Sequence, residues 1–294
     1  VQTCALPICG STSSSGGDKV ALLVSTLNNP FFVDLRDGAQ AAAKDLGVDL
    51  MVSDAQNDSS TQQNQAQNAQ SQGAKAVIIN PVDSDAASPA VAPLLSSSLP
   101  VISVDRSVTG EDVTSHIASD NVAGGAQAAD ELAKAVGEKG KVIILQGTPG
   151  AASTRDRGDG FKKEIKKYSG IEVVAEQTAN FDRAEALDVT TNLMQSNPDV
   201  VGIYAENDEM ALGAIQSLGS KAGADVKIFG FDGTEDGLKA VSNGTMVGTI
   251  AQQPKELGKK AVEAAVKAIK GESVEKTESI EVKTVTKGNV ADFQ

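Results

Sequence analysis

Residues 20–32 read VALLVSTLNNPFF. The apolar, β-branched-rich run VALLVST (20–26) predicts a strand, and the polar Asn28-Asn29 that follows gives way to Pro30, whose missing N–H costs nothing in the first turn of a helix. A helix is expected from about Phe31 to Leu46. The same unit repeats outward: strand DLMVSD (49–54), helix 59–72, strand AVIIN (76–80), helix 86–97 and strand VISVD (101–105). After the short apolar HIAS (116–119) the series starts again. It runs through helix 121–136, strand KVIILQ (141–146), helix 153–168, strand IEVVAEQ (171–177), helix 183–196 and strand VVGIYA (200–205). Helix 209–218, strand VKIFGFD (226–232), helix 235–241, strand VGTIAQ (247–252), helix 254–270 and a final strand near Ser279–Val285 complete it. Short connections between alternating strands and helices force parallel strands with right-handed crossovers, so the fold class is α/β and doubly wound.

At 294 residues there is enough chain for two lobes, because single cores stop growing near roughly 250–300 residues. The 40% hydrophobic and 22% charged content is that of a soluble globular chain, and no apolar stretch approaches the ~18 residues of a membrane span. A net charge of -13 repels phosphate backbones, which disfavours nucleic acid as a partner. Cys4 and Cys9 precede the first strand, and His116 is the single histidine, so neither a disulfide nor a transition-metal site is expected in the core. No cofactor is expected.

The apolar runs end in polar residues: Ser25, Asn80, Asp105 with Arg106, Gln146, Asn207, Asp232 and Gln252. In an open parallel sheet the ligand crevice lies beyond the carboxyl ends of the strands, so these residues converge although they are scattered along the chain. Convergent hydrogen-bonding groups beside Phe31, Phe32 and Phe181 suit a sugar, whose hydroxyls need partners and whose C–H faces need apolar cover. In VDR (104–106) an Arg fork and a carboxylate can each pair two neighbouring hydroxyls, although the same two residues could form a surface ion pair. Asn29 is placed to cap its helix or to face the crevice. RDRGDGF (155–161) offers Arg155 and Arg157 at a helix start, and FDR (181–183), END (206–208) and GFDGT (230–234) add βα-loop groups. Catalysis has little support. Asp105 and Asp232 could be imagined as a glycosidase pair but sit where binding acids would, and the body of the chain carries no nucleophile elbow.

The strings ALLVSTLNNPFF, INPVDSDA, SHIASDN, ANFDR, ENDEMALGA, GFDGT and TIAQ, in this order from Asp18 onward, resemble the sugar-binding periplasmic proteins of bacterial ABC importers. STLNNPFF with FDR and NDEMALGA favours ribose within that family. The resemblance implies the type I periplasmic binding protein fold: two Rossmann-like doubly wound lobes joined by a three-strand hinge that closes on one monosaccharide. Lobe 1 is expected over 18–119 plus 252–280 and lobe 2 over 120–251 plus 281–294, with crossovers near Ser119, Ala251 and Ile280. Implied contacts are Ser25, Asn29, Phe31, Phe32, Asp105 and Arg106 in the first lobe, Arg155, Phe181, Asn207 and Asp232 in the second, and Gln252 at a crossover; Asn80 and Arg157 are not among them. Implied partners are an ABC permease with its ATPase and a chemoreceptor, with no enzymatic activity and a monomeric, extracytoplasmic protein. Allose, galactose, xylose or a furanose signal are alternative ligands. A sugar-sensing regulator would need an amino-terminal helix-turn-helix, where a Gly/Ser tract stands instead. Residues 1–17 are read as a tether: CGSTSSSGG resembles the start of a mature bacterial lipoprotein, so lipidation at Cys9 is an expectation and the membrane is a partner only through that anchor. VQTCALPI (1–8) fits a processing box badly and is left out of the fold.

Overall fold

The computed structural model describes residues 17–294; residues 1–16 of the tether, Cys9 among them, lie outside the described residues. The first series runs β1 (Lys19–Val24), α1 (Pro30–Leu46), β2 (Asp49–Asp54), α2 (Ser59–Ser71), β3 (Ala76–Ile79), α3 (Ser88–Ser96), β4 (Val101–Val104) and β5 (Ser115–Ser119). The second comprises α4 (Asn121–Ala135), β6 (Lys139–Gln146), α5 (Ala152–Ile165), β7 (Gly170–Thr178), α6 (Arg183–Ser196), β8 (Val200–Ala205), α7 (Asp208–Leu218), β9 (Lys227–Asp232), α8 (Glu235–Asn243) and β10 (Gly248–Ala251). The tail supplies α9 (Pro254–Ile269), β11 (Thr277–Ile280) and β12 (Lys283–Thr286).

Two six-stranded sheets result, with orders β2-β1-β3-β4-β5-β11 and β7-β6-β8-β9-β10-β12. The first five strands of each follow the doubly wound order 2-1-3-4-5 of an open α/β sheet, whose switch point lies between the first and third strands. The tail is shared between the sheets. The strand expected near Ser279–Val285 is in fact two: β11 pairs parallel to β5, and β12 pairs antiparallel to β10. One continuous strand cannot lie in two sheets, and the change between them is sharp, with Ile280 packed in the first lobe's core and Val282 in the second's. Antiparallel β12 is also the exception to the all-parallel expectation.

Each sheet is covered on both faces. Val20, Leu22 and Val24 of β1 pack towards α1 and α9, while Ala21 and Leu23 face α2 and α3. The second sheet divides likewise, Ile143 and Leu145 packing with α6–α8 and Val142 and Ile144 with α4 and α5. Period-two alternation within a wholly apolar strand therefore feeds two half-cores. The chain passes between lobes three times, after Ser119, after Ala251 and after Ile280, and the carboxyl ends of the two sheets face each other across the gap.

Helix α4 meets α5 at very close range, and glycine permits it. A Cβ on Gly125 would stand 2.2 Å from the Arg157 carbonyl oxygen, and one on Gly160 would stand 2.1 Å from that of Val122. This contact fixes the first two turns of α5 against the second lobe's core.

Candidate functional site

Between the lobes lies a small cavity whose free space, counting what opens to solvent, is about 230 Å³. The first lobe lines it with Asn29, Phe31 and Phe32 at the start of α1 and Asp105 and Arg106 after β4; the second contributes Ser153 and Arg157 of α5, Phe181, Asn207 and Asp232. Phe31 and Phe32 stand edge to face, ring centroids 5.1 Å apart and planes at 84°, so both reach the same space from adjacent positions. Arg106 lies over the Phe32 and Phe181 rings at 5.4 and 5.6 Å, tying aromatics of opposite lobes through one guanidinium. The cap residues serve twice. Asn29 Oδ1 accepts from Phe31 N–H at 2.9 Å and Asn207 Oδ1 from Met210 N–H at 2.9 Å, so each side chain is anchored by the helix it starts.

Three residues of the site have left-handed backbone: Asp105 (φ 65°), Phe181 (φ 59°) and Asp232 (φ 123°). Non-glycine residues pay for such angles, and the cost persists where surrounding bonds over-determine the conformation. At Asp105 those bonds are N–H donation to Ile117 O at 2.8 Å and Asn80 Nδ2 donation to Oδ2 at 3.2 Å. Asp232 Oδ1 accepts from Gln252 Nε2 at 2.7 Å and stands 3.5 Å from Arg157 Nη1.

The two guanidiniums are held from behind. Arg106 Nη1 donates to the Pro81 and Val82 carbonyls, each at 3.1 Å. Arg157 donates through Nε to Asn121 Oδ1 and through Nη1 to Glu206 O, both at 2.8 Å, and its Cζ stacks 3.9 Å from the Phe231 centroid. Burial pushes the Asp105 and Asp232 carboxyls up, opposed by Arg106 and Arg157 at Asp105 and by Arg157 at Asp232, and pulls the Arg106 guanidinium down. Behind Arg157, burial carries Glu206 up to about 8 although its Oε2 accepts from Gly147 N–H at 2.8 Å. Asp105 Oδ1, Arg106 Nε and Gln252 Oε1 are buried without a hydrogen-bond partner among the described residues. Each unmade bond of this kind costs ~1–3 kcal/mol, which a ligand with its own donors and acceptors would recover.

Of the eleven contacts expected, eight line the cavity: Asn29, Phe31, Phe32, Asp105, Arg106, Phe181, Asn207 and Asp232. Gln252 stands one bond further out, orienting Asp232. Ser25 lies fully buried off the cavity lining, its N–H donating to Asn80 Oδ1 at 3.2 Å. Arg155 also falls outside the lining. Its side chain is 44% exposed and pairs with Asp85 at 3.2 Å, while Arg157, passed over in the sequence, takes the interior position. Residues two apart on a helix point about 200° apart, so only one arginine of RDR can face inward. Phe161, one turn beyond Arg157 and fully buried, marks which face that is. Ser153, also passed over, shares that face. Asn80 is fully buried and braces Asp105, and Gln146 donates outward to Glu176 Oε2 at 3.0 Å.

Comparison with known proteins follows the same outline. Residues 20–273 match the family described as periplasmic binding protein domain. The ribose import binding protein RbsB of Salmonella typhimurium is 46% identical over 287 residues, covering 98% of this chain and 97% of that protein. RbsB of Escherichia coli K12 shows the same identity and coverage. Among solved structures, the Caulobacter myo-inositol binding protein bound to myo-inositol superposes with a TM-score of 0.89 at 35% identity, over 93% of this chain and 95% of the other.

Proposed function

The chain belongs to the periplasmic binding protein family, and from that premise we propose that it captures D-ribose outside the cytoplasm by hinge closure and delivers it to an ABC permease with its ATPase. The observation that carries this reading is that one small cavity is lined by both lobes, the first bringing two aromatic rings and the second one, each with a charged fork. A monosaccharide presents flat C–H faces and vicinal hydroxyls. Phe31, Phe32 and Phe181 supply cover for the former; Asp105 with Arg106, and Arg157 with Asp232, supply paired acceptors and donors for the latter. These groups meet only when the lobes are together, so a ligand touching both sets shifts the population towards the closed form. That form is what a permease, and a chemoreceptor if one reads this protein, would recognise. No bond is made or broken in this cycle, and the protein acts as a monomeric carrier, with a lipid at Cys9 holding it to the membrane surface.

Specificity follows from the unpaired buried groups. A sugar lacking a hydroxyl leaves its partner unsatisfied, a far larger penalty than loss of a methylene. The test is calorimetric titration with ribose, allose, galactose, xylose and glucose. Tight one-to-one binding of ribose, recovered unchanged, is the expected result; silence towards ribose with binding of another of these sugars would transfer the proposal to that sugar, and turnover would end it.

A further inference from the structure

Away from the crossings and the cavity, direct hydrogen bonds from lobe to lobe are confined, among the described residues, to one small contact. Ser84, in the loop after β3, is fully buried. Its N–H donates to Gly150 O at 3.0 Å, in the loop between β6 and α5, and its Oγ accepts from the N–H of Ala152, the first residue of α5, at 3.0 Å. Gly150 sits at φ 85°, and a Cβ there would lie 2.2 Å from Asp83 Oδ2, so the approach of the two loops requires glycine. Beside this pair Arg155 Nη1 donates to Asp85 Oδ2 at 3.2 Å, and the other Asp85 oxygen accepts from Thr109 Oγ1 at 2.8 Å. Thr109 N–H in turn donates to Ser84 O at 2.8 Å. Ser84, Asp85, Gly150 and Arg155 are all absent from the cavity lining.

We propose that Ser84 with the 150–152 backbone, flanked by the Asp85–Arg155 pair, is a ligand-independent clasp that sets how favourable closure is and thereby scales the affinity for every sugar the site accepts. The proposal rests on the hinge-closure reading above. Its logic is that apparent affinity equals intrinsic affinity multiplied by the closed fraction, so a contact made only on closing multiplies all ligands' affinities alike. A residue that touches the sugar acts differently, since its loss weighs most on the ligand whose hydroxyl it bonds. The buried Ser84 bonds carry most of the effect, because the Asp85–Arg155 pair is half exposed and screened by salt.

The experiment measures ribose and one weaker monosaccharide ligand against Ser84→Ala and Arg155→Ala, by calorimetry at low and high salt, with solution scattering of the wild type and both variants free and saturated. Ser84→Ala leaves the Ala152 N–H unpaired in the closed form, and a loss of about 5–30-fold is expected, equal for both sugars. Arg155→Ala, at a half-exposed position that leaves the fold intact, is expected to weaken both about two- to fivefold at low salt and less at high salt. Saturated variants should reach the wild-type compact profile. Unchanged affinity in both variants, or different factors for the two sugars, overturns the clasp while leaving hinge closure intact. A wild type whose scattering does not contract on binding ribose overturns the closure reading, and the clasp with it.

Discussion

Arg157 is positioned by one side-chain oxygen, one carbonyl and one aromatic face, leaving its remaining guanidinium donors for Asp232 and whatever enters the cavity. Arg157→Ala removes those donors and leaves the buried Asp232 carboxylate with its cation gone. Ribose affinity is expected to fall by about 2–5 kcal/mol in a titration, the range for truncating a buried charged group that hydrogen-bonds its binding partner, here the sugar. Behind it, Glu206 gives the site a pH signature. Burial carries its carboxyl from an ordinary 4.5 up to about 8, so the folded chain holds this proton more tightly than the unfolded one does. The sign follows: that contribution to stability is whole below about pH 4.5 and is lost as pH rises towards 8. In sugar-free protein the urea midpoint of the wild type should therefore drop more between pH 5 and pH 8 than that of Glu206→Gln. Parallel pH dependence in the two proteins would show that Glu206 does not carry the effect.

Elements place these residues through their ends. The site hangs on helix starts and strand exits, as at Asn29 and Asn207, where the cap bond that begins a helix also sets the side chain at the cavity wall. The close α4–α5 crossing is the element-level constraint on Arg157. Gly125→Val would drive a side chain into the Arg157 carbonyl, 2.2 Å from the position of its Cβ, and the helices would have to part. Overpacking of that kind costs ~1–3 kcal/mol or more. The expected result is a lower urea midpoint together with weakened ribose binding, whereas an unchanged affinity in the folded variant would show that Arg157 does not depend on this crossing. Elements were largely legible from the chain, because strand runs such as VALLV and VIIL alternate with amphipathic helices whose caps stand in sequence. The tail was not: Ile280 and Val282 are both buried, and nothing local says that they are buried in different cores.

At the scale of the whole molecule, function comes from two sheets that each follow the 2-1-3-4-5 order and present their carboxyl ends to one another. Three crossings join the lobes on the β5–β11 side of one sheet and the β10–β12 side of the other, and the Ser84–Gly150 contact forms between loops outside those crossings. The ligand is then a third component of the lobe interface. Its binding free energy offsets the cost of closing, and it stabilises the folded chain by mass action, in proportion to the logarithm of its concentration above Kd.

Local signals in the chain were enough for the doubly wound α/β class, the twofold repeat of the unit, and the convergence of Asp105, Arg106, Asn207 and Asp232 at strand ends, because strand period, helix caps and short loops are local and the crevice position follows from topology. The sequence also carried the family resemblance. Which arginine of Arg155-Asp156-Arg157 turns inward, that Ser25 lies under the site instead of at its wall, and that Asn80 braces Asp105 were decided only in the tertiary structure. The physical reason is common to all three. A side chain's burial and partners depend on what packs against its element from distant parts of the chain, and here that means α4 against α5, β3 beside β1 and β4, and one lobe against the other.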